Sequence, residues 1–488
     1  MPFTAEKKCR IVVVGGGITG LAAAHRIVEL AGESIEQMDI TLLDASDRLG
    51  GSFGTEQIGD YTIETGADSF ITNKPWAIDL TKRLGMQDRL ISPNPEFQRS
   101  LILHRGKTVV TPVGFNLLAP SQIWPMIKTP LLSPLGKARV AMEYFIPRKT
   151  DDRDESLADF VRRRFGRELL DKIVQPMVGG IYTSDPEKLS LKSTLSRFIE
   201  LERKHGSLIR GLRKSKSKEK VSQQASGARY GLFATPVEGM SELLQQLQKK
   251  IEHQVALRSG ASVESIDHQG PCWTLRLKNG EQIEADGLIL ALPTYRSSEL
   301  LTDVSPKLSD ALGQIEYASS AILVSGHREE DVDHDLNAFG LVIPHREKRR
   351  ILAVSFLSRK FPGRAPAGKV ILRTFIGGAM QPEEIEHSDD DVIESALSEI
   401  REILGVRGEP DFLRLVRYNR AMPQYTVGHL DRVAEIRKWG AAFPNLGLSG
   451  NGFDGVGIPD CVHSGEQAAE AVWRAVVTPQ EKSDSNPE

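Results

Sequence analysis

Cysteine is scarce in this chain, whose 488 residues include only Cys9, Cys272 and Cys461, far apart in sequence. Without a C-x-x-C pair or a regular cysteine spacing, the sequence predicts no disulfide framework, as in a reducing compartment. No uncharged run reaches the roughly 18 apolar residues of a membrane span. The N-terminus also lacks the charged-then-apolar layout of a signal peptide. A cytoplasmic protein is therefore the expectation.

Charge of one sign is not in excess either. Lysine and arginine number 62 against 65 aspartates and glutamates, a net charge of −3, which argues against nucleic acid as the main partner. Hydrophobic residues make up 40% and charged residues 26%, as in a folded rather than a disordered chain. The length exceeds one ordinary core and predicts two or three domains.

The N-terminal region has the pattern of a βαβ unit. Residues 11–14 are a β-branched run, apolar residues recur at helical spacing from Ile18, and 39–44 look like a second strand. The turn between strand and helix, Gly15-Gly-Gly-Ile-Thr-Gly20, fits G-x-G-x-x-G. These glycines permit a tight turn, let backbone approach a pyrophosphate and let the helix pack on the strand. The phosphates would sit at the helix N-terminus.

Residues after the second strand favour a flavin dinucleotide. Asp44 can accept hydrogen bonds from both ribose hydroxyls and would repel a 2′-phosphate, which favours FAD or NAD over NADP. Arg48 can neutralise phosphate, and the pair Gly50-Gly51 lets the chain pass close to a flat ring or a diphosphate. A hairpin predicted around Gly59 then replaces the third parallel strand of a plain NAD domain.

The C-terminal region supplies a second half-site. A strand at 445–448 feeds the glycine-rich loop 449–460, and a helix follows with Pro459 in its first turn. That helix N-terminus, aimed at the pyrimidine end of a flavin, would stabilise the negative charge of the reduced ring. The alternative is a strand, loop and helix that only pack.

Three longer strings carry a family resemblance: AMPQYTVGH at 421–429, GIYTSDPEKLS at 180–190 and GVGIPDC at 455–461. They resemble the flavin-dependent protoporphyrinogen and coproporphyrinogen III oxidase family of the amine oxidase-like FAD superfamily, and its bacterial coproporphyrinogen III branch most. The resemblance spans roughly residues 9 to 476. It implies an α/β (α+β overall) fold with a discontinuous Rossmann-like FAD/NAD(P)-binding domain, a mixed-sheet substrate domain and a helical subdomain.

The resemblance also implies the FAD contacts. Four residues depart from the family pattern: Asp44 stands where Glu is common, Thr65 and Ala67 where Arg and Pro are usual, and Tyr418 where Trp is frequent. Together with Arg48 and Gly51, the expected cofactor-binding residues are Gly15, Gly16, Gly17, Ile18, Thr19, Gly20, Asp44, Ala45, Ser52, Gly66, Ala67, Asp68, Ser69, Val263, Tyr418, Val456, Gly457 and Ile458.

The activity implied is the FAD-dependent, oxygen-linked six-electron oxidation of coproporphyrinogen III to coproporphyrin III in haem biosynthesis. Protoporphyrinogen IX oxidation, an amine oxidase or desaturase activity, and a non-catalytic flavin or porphyrin carrier remain open. No catalytic residue is assigned. Lys74 and Arg99 are candidates for binding a substrate propionate, and the alternative makes both solvated surface cations. No pattern predicts a metal site.

The implied partners are the porphyrinogen and molecular oxygen, with product transfer to a haem-pathway ferrochelatase left open. Residues 115–132 are rich in apolar side chains and are expected to pack in the core of a helical subdomain; an apolar portal or shallow membrane contact stays open. The polar stretch 211–229 predicts a loop. The expected domains are 8–73, 230–295 and 419–477 for FAD binding, 74–114 and 296–418 for substrate, 115–210 for the helical subdomain and 478–488 for a disordered tail.

Overall fold

The computed structural model describes residues 8–216 and 233–477. The strands are β1 Cys9–Val14, β2 Met38–Leu43, β3 Thr55–Ile58, β4 Tyr61–Glu64, β5 Phe70–Ile71, β6 Leu90–Ile91, β7 Ser100–His104, β8 Lys107–Val110, β9 Phe115–Asn116, β10 Ala119–Pro120, β11 Phe233–Pro236, β12 Val255–Arg258, β13 Val263–Gln269, β14 Cys272–Leu277, β15 Gln282–Ala285, β16 Gly287–Leu290, β17 Tyr317–Arg328, β18 Gly340–Val342, β19 Ile351–Phe356, β20 Lys369–Gly377, β21 Phe412–Pro423 and β22 Leu446–Leu448.

The helices are α1 Ile18–Ala31, α2 Pro75–Arg83, α3 Ile123–Lys128, α4 Pro134–Ala141, α5 Leu157–Phe165, α6 Arg167–Leu169, α7 Gln175–Tyr182, α8 Leu191–His205, α9 Leu208–Lys216, α10 Met240–Ile251, α11 Thr294–Leu301, α12 Pro306–Gly313, α13 Leu357–Lys360, α14 Asp389–Leu404, α15 His429–Gly440 and α16 Ile458–Val477. Seven of these described helices, α3 to α9, follow one another between β10 and β11.

A parallel sheet joins stretches that are far apart in sequence. Its strand order is β12-β2-β1-β16-β22, and every neighbouring pair is parallel. Val13 in the central strand pairs with Leu42 on one side and Ile289 on the other. All three side chains are fully buried, which is why these strands are continuous apolar runs. The predicted βαβ unit and the discontinuous Rossmann-like domain are confirmed.

A second, mixed sheet has the order β21-β17-β20-β19-β18-β7-β8 and is antiparallel except where β18 meets β7. Side chains from one face of this sheet, such as Leu372 and Phe356, form a core with Val392 and Ile400 of α14. The opposite face presents Ile102 to the helical region. This sheet therefore has α14 behind it and the helical region in front.

The helical region has its own core. Phe160, Ile173 and Phe198 are fully buried there, and Phe115 is almost fully so. Segment 115–132 contributes to this core, but it also leaves Trp124 72% exposed. Among the described residues, no helix is both long and apolar enough to cross a bilayer.

One loop prediction was wrong in part. Residues 211–216 continue helix α9, because Leu208, Ile209 and Leu212 fall on one face and are buried against the helical core. The remainder of the predicted loop, 217–229, and the predicted tail 478–488 lie outside the described residues. The domain boundaries remain a prediction.

Candidate functional site

The N-terminus of α1 is left without a side-chain cap by the described residues. Gly17 is its N-cap, and within the described chain no side chain caps this helix and no acidic residue lies in its first turn. A Cβ built on Gly17 would meet only the Gly51 Cα atom, at 3.9 Å. Packing alone therefore does not require glycine here, whereas close approach of a phosphate group to the helix N–H groups does.

Two neighbouring glycines have a structural reason instead. A Cβ on Gly20 would lie 1.8 Å from the carbonyl oxygen of Gly15, where α1 crosses the turn. Gly15 itself has a φ of +110°, which side chains rarely adopt. The motif thus combines glycines that close the turn with one that leaves room beside it.

Asp44 is held rigidly at the end of β2. Its Oδ2 accepts a 2.6 Å hydrogen bond from the Gly16 N–H, and its Oδ1 accepts a 2.7 Å bond from the Ser46 N–H. The carbonyl oxygen of Asp44 accepts from the Ala261 N–H at 2.7 Å, which brings the start of β13 and Val263 to this strand end. The remaining lone pairs of the carboxylate can accept ribose hydroxyls.

Arg48 and Tyr418 form hydrogen bonds to backbone carbonyls in the segment 51–65 that follows β2. The Arg48 guanidinium donates to the carbonyl oxygens of Phe53 at 2.9 Å and Gly51 at 3.3 Å. The Tyr418 hydroxyl, arriving from β21, donates to the carbonyl of Thr65 at 2.8 Å and lies 3.3 Å from that of Ser52. The two side chains thereby order backbone that the sequence predicts to contact the cofactor.

The C-terminal half-site meets the N-terminal one. A Cβ on Gly465 of α16 would lie 2.2 Å from the carbonyl oxygen of Thr19, so the two helices touch backbone to backbone. Burial raises the pKa of the Cys461 thiol to about 12, and a hydrogen bond with Thr19 partly opposes that shift. The structure therefore places α16, which begins at Ile458, directly against the 15–20 region.

Lys74 and Arg99 occupy different places. The Lys74 ammonium lies 2.5 Å from Asp460 Oδ1, in the first turn of α16, so it is paired rather than only solvated. Arg99, just before β7, donates to the carbonyl oxygen of Glu96 at 2.9 Å. The structure does not group these two as one propionate site, and their substrate role remains a prediction.

A buried charge cluster beside Gly66 was missed from the sequence. Arg373 on β20 donates to the Gly66 carbonyl and, at 3.0 Å, to Asp68 Oδ2. Lys360 donates to Asp68 Oδ1 at 2.7 Å. Burial by itself raises the pKa of the Asp68 carboxyl, but Lys360 and Arg373 lower it well below its usual range. An arginine inside the apolar strand VILRTFI was the available signal.

A cavity of about 490 Å³ lies beside the loop 184–189 and the ends of β17, β20 and β21. Tyr425 in its wall donates to the Asn451 carbonyl at 2.6 Å, so the cavity backs onto the glycine-rich loop. Its lining carries the carboxyl groups of Asp185, Glu316 and Glu386 against one amine, that of Lys188. That charge balance is unfavourable for a polycarboxylate ligand.

Comparison with known proteins agrees with this geometry. Residues 18–473 match the family described as flavin containing amine oxidoreductase. The chain belongs to this family. It is 34% identical over 465 residues to the coproporphyrinogen III oxidase of Bacillus subtilis (strain 168), covering 95% of this chain and 98% of that protein. It is 27% identical over 480 residues to chloroplastic protoporphyrinogen oxidase 1 of Arabidopsis thaliana, covering 94% and 87% of the two chains.

Solved structures of other proteins show the same fold. A crystallised protein from Exiguobacterium sp. 255-15 superposes with a TM-score of 0.84 at 28% identity, covering 96% of this chain and 99% of its own. Reduced UDP-galactopyranose mutase superposes with a TM-score of 0.71 at 18% identity, covering 97% of each chain, which shows the fold alone.

Proposed function

We propose that this protein is an FAD-dependent oxidase that converts coproporphyrinogen III to coproporphyrin III. The observation that carries the proposal is the full-length match to a coproporphyrinogen III oxidase, 34% identical over 98% of that relative. Three features support FAD as the flavin: the N-terminus of α1, which no described side chain caps, the fixed Asp44 carboxylate and the contact of α16 with Thr19.

The chain's own residues would bind and orient the dinucleotide. The α1 N–H groups beside Gly17 would receive the pyrophosphate, and Asp44 would accept the ribose hydroxyls. The Gly66–Ser69 segment and the Val456–Gly457–Ile458 loop would border the ring. FAD supplies hydride acceptance, the hard chemistry of the reaction.

The proposed overall reaction removes six electrons and six protons from the macrocycle in three two-electron oxidations. With oxygen as acceptor, three O₂ molecules take up those electrons and protons and give three H₂O₂. The protein must therefore hold a large apolar disc with carboxylates at its rim beside the ring. The face of the mixed sheet that carries Arg373, opposite α14, adjoins Gly66 and is where we place that disc.

The test supplies the purified, FAD-loaded protein with coproporphyrinogen III or protoporphyrinogen IX and follows porphyrin fluorescence, with H₂O₂ measured in parallel. We expect faster porphyrin formation from the four-propionate substrate and three H₂O₂ per porphyrin. The Gly17→Ala variant, which should fold but bind FAD poorly, is the matched control for spontaneous oxidation.

Other outcomes identify the alternatives. Faster turnover of protoporphyrinogen IX would reverse the substrate preference. Anaerobic bleaching of the flavin by an amine, and not by a porphyrinogen, would indicate an amine oxidase. Bound FAD that neither porphyrinogen reduces would indicate a carrier. Each of these results contradicts the proposed activity.

A further inference from the structure

The buried cluster next to Gly66 is made of charged side chains from distant parts of the chain. Within the described part of the chain, Lys360, Arg364 and Arg373 pair with two carboxyl groups, those of Asp68 and Glu64. The side chains of Arg364 and Arg373 are 1% and 3% exposed, and that of Lys360 is 13% exposed. Burial lowers the pKa of the Arg364 guanidinium, and the carboxyl groups of Glu64, Asp68, Glu238 and Glu242 oppose that shift.

The cations of this cluster have separable roles. Arg364 donates to the carbonyl oxygens of Val237 at 2.9 Å and Pro236 at 2.8 Å, so it fixes the chain around β11. Lys360 binds Asp68 at 2.7 Å and Ser69 at 3.1 Å. Lys360 thus neutralises much of the Asp68 charge and leaves that of Arg373 incompletely balanced.

Arg373 also has unused hydrogen-bonding capacity. Its Nε is buried and has no partner among the described residues, although its two terminal nitrogens bind Gly66 and Asp68. The contact with the Gly66 carbonyl places this cation against the segment predicted to border the flavin ring. Thr65, next to it, lacks the charge of the arginine usual in the family pattern, and its hydroxyl donates to the Gly54 carbonyl instead.

We infer that Arg373 is the fixed cation that stabilises the reduced flavin in this protein. Lys360 is a positioning residue that pairs with Asp68. This inference rests on the proposed FAD site. Two-electron reduction with uptake of one proton leaves a negative charge on the flavin ring. A fixed positive group nearby favours that state over the neutral oxidised one and so raises the reduction potential.

The test measures the flavin reduction potential, by equilibration with a reference dye, and the dissociation constant for sulfite, which adds to oxidised flavin and leaves negative charge on the ring. For Arg373→Gln we expect sulfite to bind about tenfold more weakly and the potential to fall by about 30 mV, the two-electron equivalent of tenfold. Lys360→Gln should shift both quantities in the same direction. Arg373→Lys retains the charge, so its sulfite affinity and reduction potential should lie close to those of the wild type.

Lys369→Gln is the matched control, because Lys369 lies on the same strand but pairs with Asp411 at 2.7 Å. It should leave both quantities at their wild-type values. If Arg373→Gln does not bind FAD, the sulfite affinity and reduction potential of Lys360→Gln and Arg373→Lys still test the inference.

Three results would overturn the inference. Unchanged sulfite affinity and potential in both Gln variants would reject it. A raised KM for coproporphyrinogen with an unchanged potential would instead assign Arg373 to a substrate carboxylate. Equal shifts in Arg373→Lys and Arg373→Gln would assign the effect to packing rather than charge. Wild-type protein that binds no FAD, or does not oxidise porphyrinogens, would reject the proposed function itself, a separate failure.

Discussion

We expect two glycines of the α1 turn to serve different purposes, Gly20 for folding and Gly17 for cofactor binding. Gly17 has a φ of −72°, which alanine adopts readily, and only the Gly51 Cα atom lies within 4 Å of the position that an alanine methyl group would take there. Gly20, three residues on, has no such room because the Gly15 carbonyl would lie 1.8 Å from a methyl group. The two glycines of one motif should therefore respond differently to the same substitution.

We predict that Gly17→Ala keeps the melting temperature of the FAD-free protein but weakens FAD binding by about tenfold or more, a loss of at least about 1.4 kcal/mol. The added methyl group occupies the space that the pyrophosphate needs. Fluorescence titration with FAD and thermal unfolding without it measure the two effects. Gly20→Ala should instead lower the melting temperature of the FAD-free protein. Equal FAD affinity in wild type and Gly17→Ala would contradict the site.

Glu64 gives a pH-dependent prediction. Burial raises the pKa of its carboxyl from 4.5 to about 7, although the Met240 N–H and Arg364 act in the opposite direction. Because the folded carboxyl takes up a proton more readily than the unfolded one, its contribution to stability is present below pH 4.5 and is lost as the pH rises through about 7.

Glu64→Gln removes this titration. Between about pH 5 and pH 8 the wild type should lose up to roughly 3 kcal/mol of unfolding free energy relative to the variant. Denaturant unfolding at a series of pH values measures the difference. Glu56→Gln on β3, where Glu56 forms an exposed pair with Arg414, should track the wild type. Parallel curves for Glu64→Gln and wild type would mean that Glu64 stays ionised throughout.

At the scale of elements, the contact between α1 and α16 joins the two half-sites. Gly465→Ala should separate these helices, because its methyl group would lie 2.2 Å from the Thr19 carbonyl oxygen. We expect a loss of about 1–3 kcal/mol in stability from overpacking, together with weaker FAD binding. Thermal unfolding and FAD titration give both values.

Gly440→Ala, at the end of α15, is the matched helix control, since the nearest atom to its methyl group is a Leu448 side-chain carbon at 3.8 Å. It should bind FAD as the wild type does and be as stable or slightly more stable, because alanine favours helix over glycine. A Gly465→Ala variant indistinguishable from Gly440→Ala would show that the helices can move apart without cost.

The elements also show what the sequence could and could not predict. The βαβ unit follows from a short β-branched run, glycine spacing and helical periodicity, all of which are local. The pairing of Lys74 with Asp460 and of Arg373 with Asp68 spans hundreds of residues, and no local pattern carries such a contact. The second half of helix α9 was predicted as a loop because its lysines and arginines obscure the buried stripe that begins at Leu208.

For the whole molecule, we predict that FAD protects both ends of the chain together. Ligand bound only by the folded state stabilises every element that must be in place to bind it. Hydrogen exchange measured with and without FAD should therefore slow in residues 10–20 and in 449–465 to a similar extent. The exposed β14–β15 turn around Gly280 serves as an internal reference and should not change. Protection confined to the N-terminal segment would contradict a site shared by both ends.

The parallel sheet also has a consequence for synthesis of the protein. One edge of β1 is covered by β16, and β16 in turn is covered by β22, which begins at Leu446. At typical elongation rates, roughly 20–90 s separate translation of β1 from that of β22. For that time the nascent polypeptide exposes apolar strand edges that can pair with other chains. Slower ribosomes or scarce chaperones should therefore lower the yield of active protein, while the protein that does fold keeps its stability.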